Sequence, residues 1–172
     1  MTQTSPARDE RGEIEDALDL TVILPVRNGA ATIAQQLDAL MASEWDGAWE
    51  VLIVDNGSTD ATPELVASYV LRDARVRVTQ ALDHAGLSYA RNIGVAHARG
   101  RAVAFCDDDD RVDPRWVAAM GEALREHRVV ASHMVYETMS GPAALDGRAD
   151  FQSTDVERLF GCLLYTSDAA DE

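Results

Sequence analysis

The sequence predicts an α/β fold, a mostly parallel, doubly wound sheet with flanking helices, and three observations carry that prediction. Short apolar runs alternate with segments of helical periodicity. The polar, non-periodic residues collect where the expected strands end. Hydrophobic residues make up 47% of a 172-residue chain, enough for a packed core of one ordinary domain. Strand–helix alternation calls for right-handed crossovers, which lay successive strands parallel and put helices on both faces.

Residues 1–19 are charged and carry little apolar periodicity, so they read as a flexible leader with at most a short helix near 14–18. Regular structure is expected from Leu20. Strands are expected at 20–24, 50–54, 75–79, 102–106 and 129–136, short apolar runs bounded by turn formers. After the first of these, Ile33, Leu37, Leu40 and Met41 recur at helical spacing, and after the second Leu65, Val66, Tyr69 and Val70 do the same. A third helix is expected over 87–98. The fourth is expected to take Asp113 as N-cap and Pro114 as its first residue, then to bury Trp116, Val117, Met120 and Leu124.

Composition removes several chemistries. All 15 strongly basic residues are Arg, so a lysine Schiff base and a Walker-type phosphate loop are excluded from these residues. The net charge of −15 argues against a nucleic-acid partner, which needs a positive surface. Only Cys106 and Cys162 occur, so no disulfide framework is indicated. With no signal-peptide pattern at the start, the cytoplasm is the expected location.

In a doubly wound sheet, ligands bind in the crevice beyond the carboxyl ends of the strands. Three loops are expected there: 25–29, 55–60 and 107–110. The last is Asp107-Asp108-Asp109-Asp110, reached directly from the apolar run Val103-Ala104-Phe105-Cys106. On extended backbone, carboxylates two residues apart point the same way and repel unless a cation neutralises them. The run therefore reads either as a site for a hard divalent metal, Mg²⁺ or Mn²⁺, or as a solvated acidic turn. Its coincidence with the other two loops favours the metal.

In Asp55-Asn56-Gly57-Ser58-Thr59-Asp60, Gly57 permits close backbone approach or a positive φ, and Ser58 to Asp60 suit a helix cap. Asp55 at the strand end suits hydrogen bonds from a base or from ribose hydroxyls. In Leu24-Pro25-Val26-Arg27-Asn28-Gly29, the backbone of Pro25 and Val26 lines the crevice, with Arg27 or Asn28 reaching a base or phosphate; a plain strand-to-helix turn is the alternative. Arg91, near the start of the third helix, is a candidate for diphosphate or sugar contact, or else a surface Arg.

Taken together, Val22-Ile23-Leu24-Pro25-Val26-Arg27-Asn28-Gly29-Ala30, Val54-Asp55-Asn56-Gly57-Ser58-Thr59-Asp60, Gly86-Leu87-Ser88-Tyr89-Ala90-Arg91-Asn92 and Ala104-Phe105-Cys106-Asp107-Asp108-Asp109-Asp110 resemble the successive signatures of family 2 glycosyltransferases, over roughly residues 20–120. The resemblance implies the GT-A, nucleotide-diphospho-sugar transferase fold. It implies that Pro25 to Asn28 and Asp55 cradle the nucleoside and that Asp107-Asp108-Asp109 is the family's Asp-X-Asp motif. Asp107 would lie near ribose and sugar phosphate, Asp109 would be the principal metal ligand, and Asp110 would face the donor sugar. Where Arg27 stands the family often has an aromatic residue, and where His84 stands it often has Asn.

The reaction so implied is an inverting transfer of a sugar from a nucleotide-diphosphate donor to an acceptor hydroxyl, with metal assistance. The acceptor would be a glycan, a lipid-linked molecule or a small molecule, and the full-length protein would associate peripherally with the cytoplasmic face of a membrane. No residue here matches the general base, which is expected beyond Gly161. A nucleotidyltransferase-like enzyme is the alternative, against which stands the lack of a glycine-rich basic loop at 25–29; a non-catalytic nucleotide-binding module is another. Cys162 to Glu172 continues no pattern and reads back, residue for residue, as a translated sequencing adapter. The expected organisation is a leader at 1–19, a donor-binding part at 20–161, truncated at its C-terminus, and a non-native tail at 162–172.

Overall fold

The computed structural model describes residues 18–132. Four strands, β1 (Leu18–Val26), β2 (Trp49–Asp55), β3 (Val76–Gln80) and β4 (Gly100–Phe105), alternate with four helices, α1 (Ile33–Met41), α2 (Thr62–Arg72), α3 (Leu87–His97) and α4 (Trp116–Glu126). All three strand pairings are parallel, and the strand order is β3-β2-β1-β4. The chain therefore winds outward from β1 through β2 to β3, then crosses back to place β4 on the other side of β1. The switch between these two directions falls between β1 and β4, where ligand crevices of such sheets open.

Side-chain alternation assigns the layers. Leu20, Val22, Leu24, Val51, Ile53 and Ala104 pack with Ile33, Leu37 and Leu40 of α1, Val66 and Tyr69 of α2, and Val117 of α4. Ile23, Leu52 and Val54 face the other way, onto Ala90 of α3. Helices on both faces leave β2 buried along its whole length, which is why it reads as an unbroken apolar run and not as an alternating one. Gly94 lets α3 lie close to the sheet: a Cβ there would sit 2.5 Å from Ile23 Cγ2.

Several boundaries differ from those the sequence predicts. β1 begins at Leu18, whose register partner is Gly100, so the end of the expected leader is strand. Helix α4 starts at Trp116, with Arg115 as N-cap. Asp113 instead organises a preceding turn, accepting the Arg115 N–H on its carboxylate at 2.9 Å and the Trp116 N–H on its carbonyl at 2.8 Å. Of the residues α4 was expected to bury, Val117 is fully buried, while Trp116, Met120 and Leu124 are half-covered. Residues 129–132 carry no strand; the remainder of that expected strand, the leader through residue 17 and the 162–172 tail lie outside the described residues.

Candidate functional site

The loops after β1, β2 and β4 meet at the carboxyl edge of the sheet and are hydrogen-bonded to one another. Asn28 is the first junction. Its φ of 57° is left-handed, a conformation Asn tolerates better than most residues. In that pose its N–H donates to Ser58 Oγ at 3.0 Å, and its Oδ1 accepts from the Thr59 N–H at 2.8 Å. Asp60 adds a second junction, accepting from the Ala30 N–H at 3.1 Å. It also takes the Thr62 hydroxyl at 2.6 Å, and that bond is the main reason its carboxyl lies below the ordinary carboxylate value. Ser58, Thr59 and Asp60 thus fasten two loops together besides preparing the start of α2.

Asp55 is buried, and its Oδ1 accepts the Ser58 N–H at 2.9 Å, closing a tight turn in which Gly57 takes a φ of 76°. Among the described residues its Oδ2 makes no hydrogen bond. Pro25 and Val26 are buried at the end of β1, while the Arg27 side chain is exposed and unpaired among the described residues. Asn56, to which the sequence lent no role, is a hub. Its Nδ2 donates to the carbonyls of Ala81 and His84, and its Oδ1 accepts the Gly86 N–H at 2.7 Å. These bonds pin the segment that starts α3, and so position Arg91.

The acidic run does not continue β4 in extended form. After Cys106, whose N–H still donates to the Ile23 carbonyl at 3.2 Å, Asp108 and Asp109 form a turn with the Asp110 N–H over the Asp107 carbonyl at 3.4 Å. The premise that the run is extended, so that Asp107 and Asp109 point the same way, is corrected accordingly. A turn directs neighbouring carboxylates apart, and two of the four find separate partners. Asp107 pairs with Arg91 Nη2 at 3.0 Å. Asp108 accepts the Thr32 hydroxyl at 3.2 Å. Asp109 is exposed and has no partner among the described residues. Burial, and then the charges of Asp107 and Asp109, hold the Asp110 carboxyl above its ordinary value. Burial does the same to Asp108, against the pull of the Thr32 bond.

Arg91 is therefore not a free surface cation. Its guanidinium lies 5.7 Å from the Phe105 ring centroid, and its Nε is buried without a hydrogen-bond partner. The neighbouring Cys106 is a poor nucleophile, its thiol pushed up to about 12 chiefly by burial. Among the described residues, no group of three or more His, Cys, Asp or Glu is arranged to hold a metal by itself. What the edge offers is oxygen donors in negative excess, the carboxylates of its three loops outnumbering Arg27 and Arg91. That donor chemistry suits a hard cation whose remaining ligands come from a bound phosphate.

A model of the family described as glycosyl transferase family 2 matches residues 21–163. The chain belongs to that family. Among curated family members it is 40% identical over 101 residues to the succinoglycan biosynthesis protein ExoO of Rhizobium meliloti, an alignment covering 59% of this chain and 28% of that protein. Among solved structures it is similar to S. aureus TarS in complex with UDP-GlcNAc, with a TM-score of 0.57 and 28% identity, covering 64% of this chain and 32% of TarS. It is also similar to glucosyl-3-phosphoglycerate synthase from Mycobacterium tuberculosis in complex with Mn²⁺, UDP and glucosyl-3-phosphoglycerate. There the TM-score is 0.53 and the identity 26%, covering 62% of this chain and 39% of the synthase. The fold is the GT-A fold that the four motifs implied, and the chain spans well under half the length of these glycosyltransferases.

Thr32 and Asn56 are the site residues that sequence reasoning missed. Thr32 could be suspected as an N-cap before α1, but nothing local ties it to an aspartate 76 residues on. Asn56 sits in a turn-like tetrapeptide, where an Asn draws no notice.

Proposed function

We propose that the chain forms the donor-binding part of an inverting, metal-assisted glycosyltransferase that moves a sugar from a nucleotide-diphosphate donor to an acceptor hydroxyl. The observation that carries this reading is the junction of three strand-end loops, which leaves Asp55 Oδ2, Arg27 and Asp109 unpaired at one sheet edge among the described residues. Asp55 is buried, and an oxygen of a buried carboxylate left without a protein partner is an opening for a ligand. UDP-GlcNAc in the TarS complex, and Mn²⁺ with UDP in the synthase complex, support the same ligand classes here.

In this reading Asp55 accepts a hydrogen bond from the base or ribose through its free oxygen, and the Pro25 to Asn28 backbone, with Gly57, walls the nucleoside. Asp109 and Asp107 would hold Mg²⁺ or Mn²⁺, and Asp110 faces the donor sugar. The cation supplies charge neutralisation on the departing diphosphate, where preorganised electrostatics contributes most. Arg91 adds a cation beside Asp107, which its Nη2 holds at 3.0 Å.

The test is a calorimetric titration of the 172-residue chain with UDP and GDP, in Mn²⁺ and in EDTA. Cation-dependent binding that disappears in Asp109→Ala is the expected result. Binding of equal strength in EDTA, or binding indifferent to Asp109→Ala, contradicts the reading.

A further inference from the structure

The middle residue of the acidic triplet is the one fastened to the start of α1. Asp108 accepts the Thr32 hydroxyl at 3.2 Å, a contact between the loop after β4 and the residue that opens α1. Thr32 occupies the N-cap position, where a threonine hydroxyl ordinarily bonds to the first turn of its own helix. Here it makes no such cap bond; its hydroxyl lies between Asp108 and the Gly29 carbonyl, which is 3.3 Å away. Gly29 gives a second, independent sign of a built contact: a Cβ at that position would run into the Asp108 carboxylate. On either side of Asp108, Asp107 is held only from α3, and Asp109 by nothing among the described residues.

From this arrangement we infer that Asp108 is a positioning residue, not a ligand to the cation or the nucleotide: through Thr32 and over Gly29 it ties the acidic turn to α1 and so presents Asp109. The inference rests on the donor-site reading above for what Asp109 does. The tie itself stands on hydrogen-bond geometry alone. A hydrogen-bond acceptor suffices at position 108 and a hydroxyl suffices at position 32. Charge at position 108 is dispensable, which separates this role from that of Asp109.

Four variants and two readouts test it on the 172-residue chain. In cation-free protein, amide hydrogen exchange at 107–110 should quicken about tenfold in Asp108→Ala and Thr32→Val, and stay near the parent rate in Asp108→Asn and Thr32→Ser. Mn²⁺-dependent UDP affinity should fall about tenfold in the first pair and hold in the second, with the far-ultraviolet circular dichroism unchanged throughout. Parent-like exchange in Asp108→Ala overturns the tie. UDP affinity lost as fully in Asp108→Asn as in Asp108→Ala overturns the positioning role and makes the residue a charged ligand. If the parent chain binds no Mn²⁺–UDP, the donor-site reading fails, and the exchange readout still decides for or against the tie.

Discussion

The two edges of the sheet use polar residues in opposite ways. At the amino edge, Glu50 is 3% exposed and fully engaged. Arg77 Nη1 donates to both its oxygens at 3.0 and 2.8 Å, Thr21 Oγ1 donates at 3.0 Å, and the Arg99 N–H at 3.1 Å. Thr21 Oγ1 in turn accepts the Gly100 N–H at 2.8 Å, closing a network across all four strands. At the carboxyl edge, the loops are fastened to one another by Asn28, Asp60 and Asp108, yet Asp109, Arg27 and one oxygen of Asp55 have no described partner. The buried charge at the amino edge is satisfied within the protein and ties the strands together, whereas the carboxyl edge keeps polar groups open to a ligand.

The largest effect on stability should come from breaking the amino edge. Arg77→Met leaves Glu50 buried without its ion partner and should cost about 3 kcal/mol in urea unfolding. Nucleotide affinity of the folded protein should not change. A loss of less than about 1 kcal/mol would remove the contrast between the edges. Next comes Asn56→Ala at the carboxyl edge, which strands two carbonyls and one N–H and should cost about 2 kcal/mol. Since Asn56 also sets the start of α3, UDP affinity should fall with it, and the two measurements together place this residue in both categories.

A smaller effect is expected from pH. At the amino edge Arg75 donates to Asp73 from Nε at 3.1 Å and Nη2 at 2.7 Å. Those bonds above all hold its carboxyl below the ordinary 3.8. With a depressed folded value, the folded state gives up this proton more readily than the unfolded chain. The stabilisation is therefore complete above pH 3.8 and is lost as pH falls through the lower folded value. Both groups are part-exposed, so a few tenths of a kcal/mol is the expected size. Unfolding measured from pH 6 down to about 3 should show a shallower decline in Asp73→Asn. Smallest of all in stability is Asp109→Ala, within about 0.5 kcal/mol of the parent because its side chain is exposed and unpaired. Its loss of cation-dependent binding is the mirror image of Arg77→Met.

Burial was legible in the sequence because periodicity reports it directly. Ile33, Leu37 and Leu40 sit at helical spacing and face the sheet, and the expected strand at 50–54, apolar from Val51 to Val54, lies within the two-face-buried β2. The order of polar loops after β1, β2 and β4 was legible for the same reason, since residues that leave the core stop following its period. The pairings within the site were not. The Asp108–Thr32 and Asp107–Arg91 contacts depend on how β4 crosses back beside β1, a relation that no local pattern encodes. The loop at 107–110 and its alternative as an acidic turn were legible; the premise of extended backbone through the carboxylates was not met, since Asp108 and Asp109 turn. Asp113 shows the same limit on a smaller scale: a good cap residue organised the turn before α4 and left the N-cap position to Arg115.

The contrast between edges can be read residue by residue in ¹H–¹⁵N correlation spectra of the labelled 172-residue chain titrated with UDP and Mg²⁺. Amides of 27–30, 55–59 and 107–110 should shift in a saturable, Mg²⁺-dependent manner, while those of Glu50, Arg77 and Arg99 stay in place. Shifts centred on the amino edge, or none at millimolar nucleotide, would contradict the assignment of the carboxyl edge as the donor site.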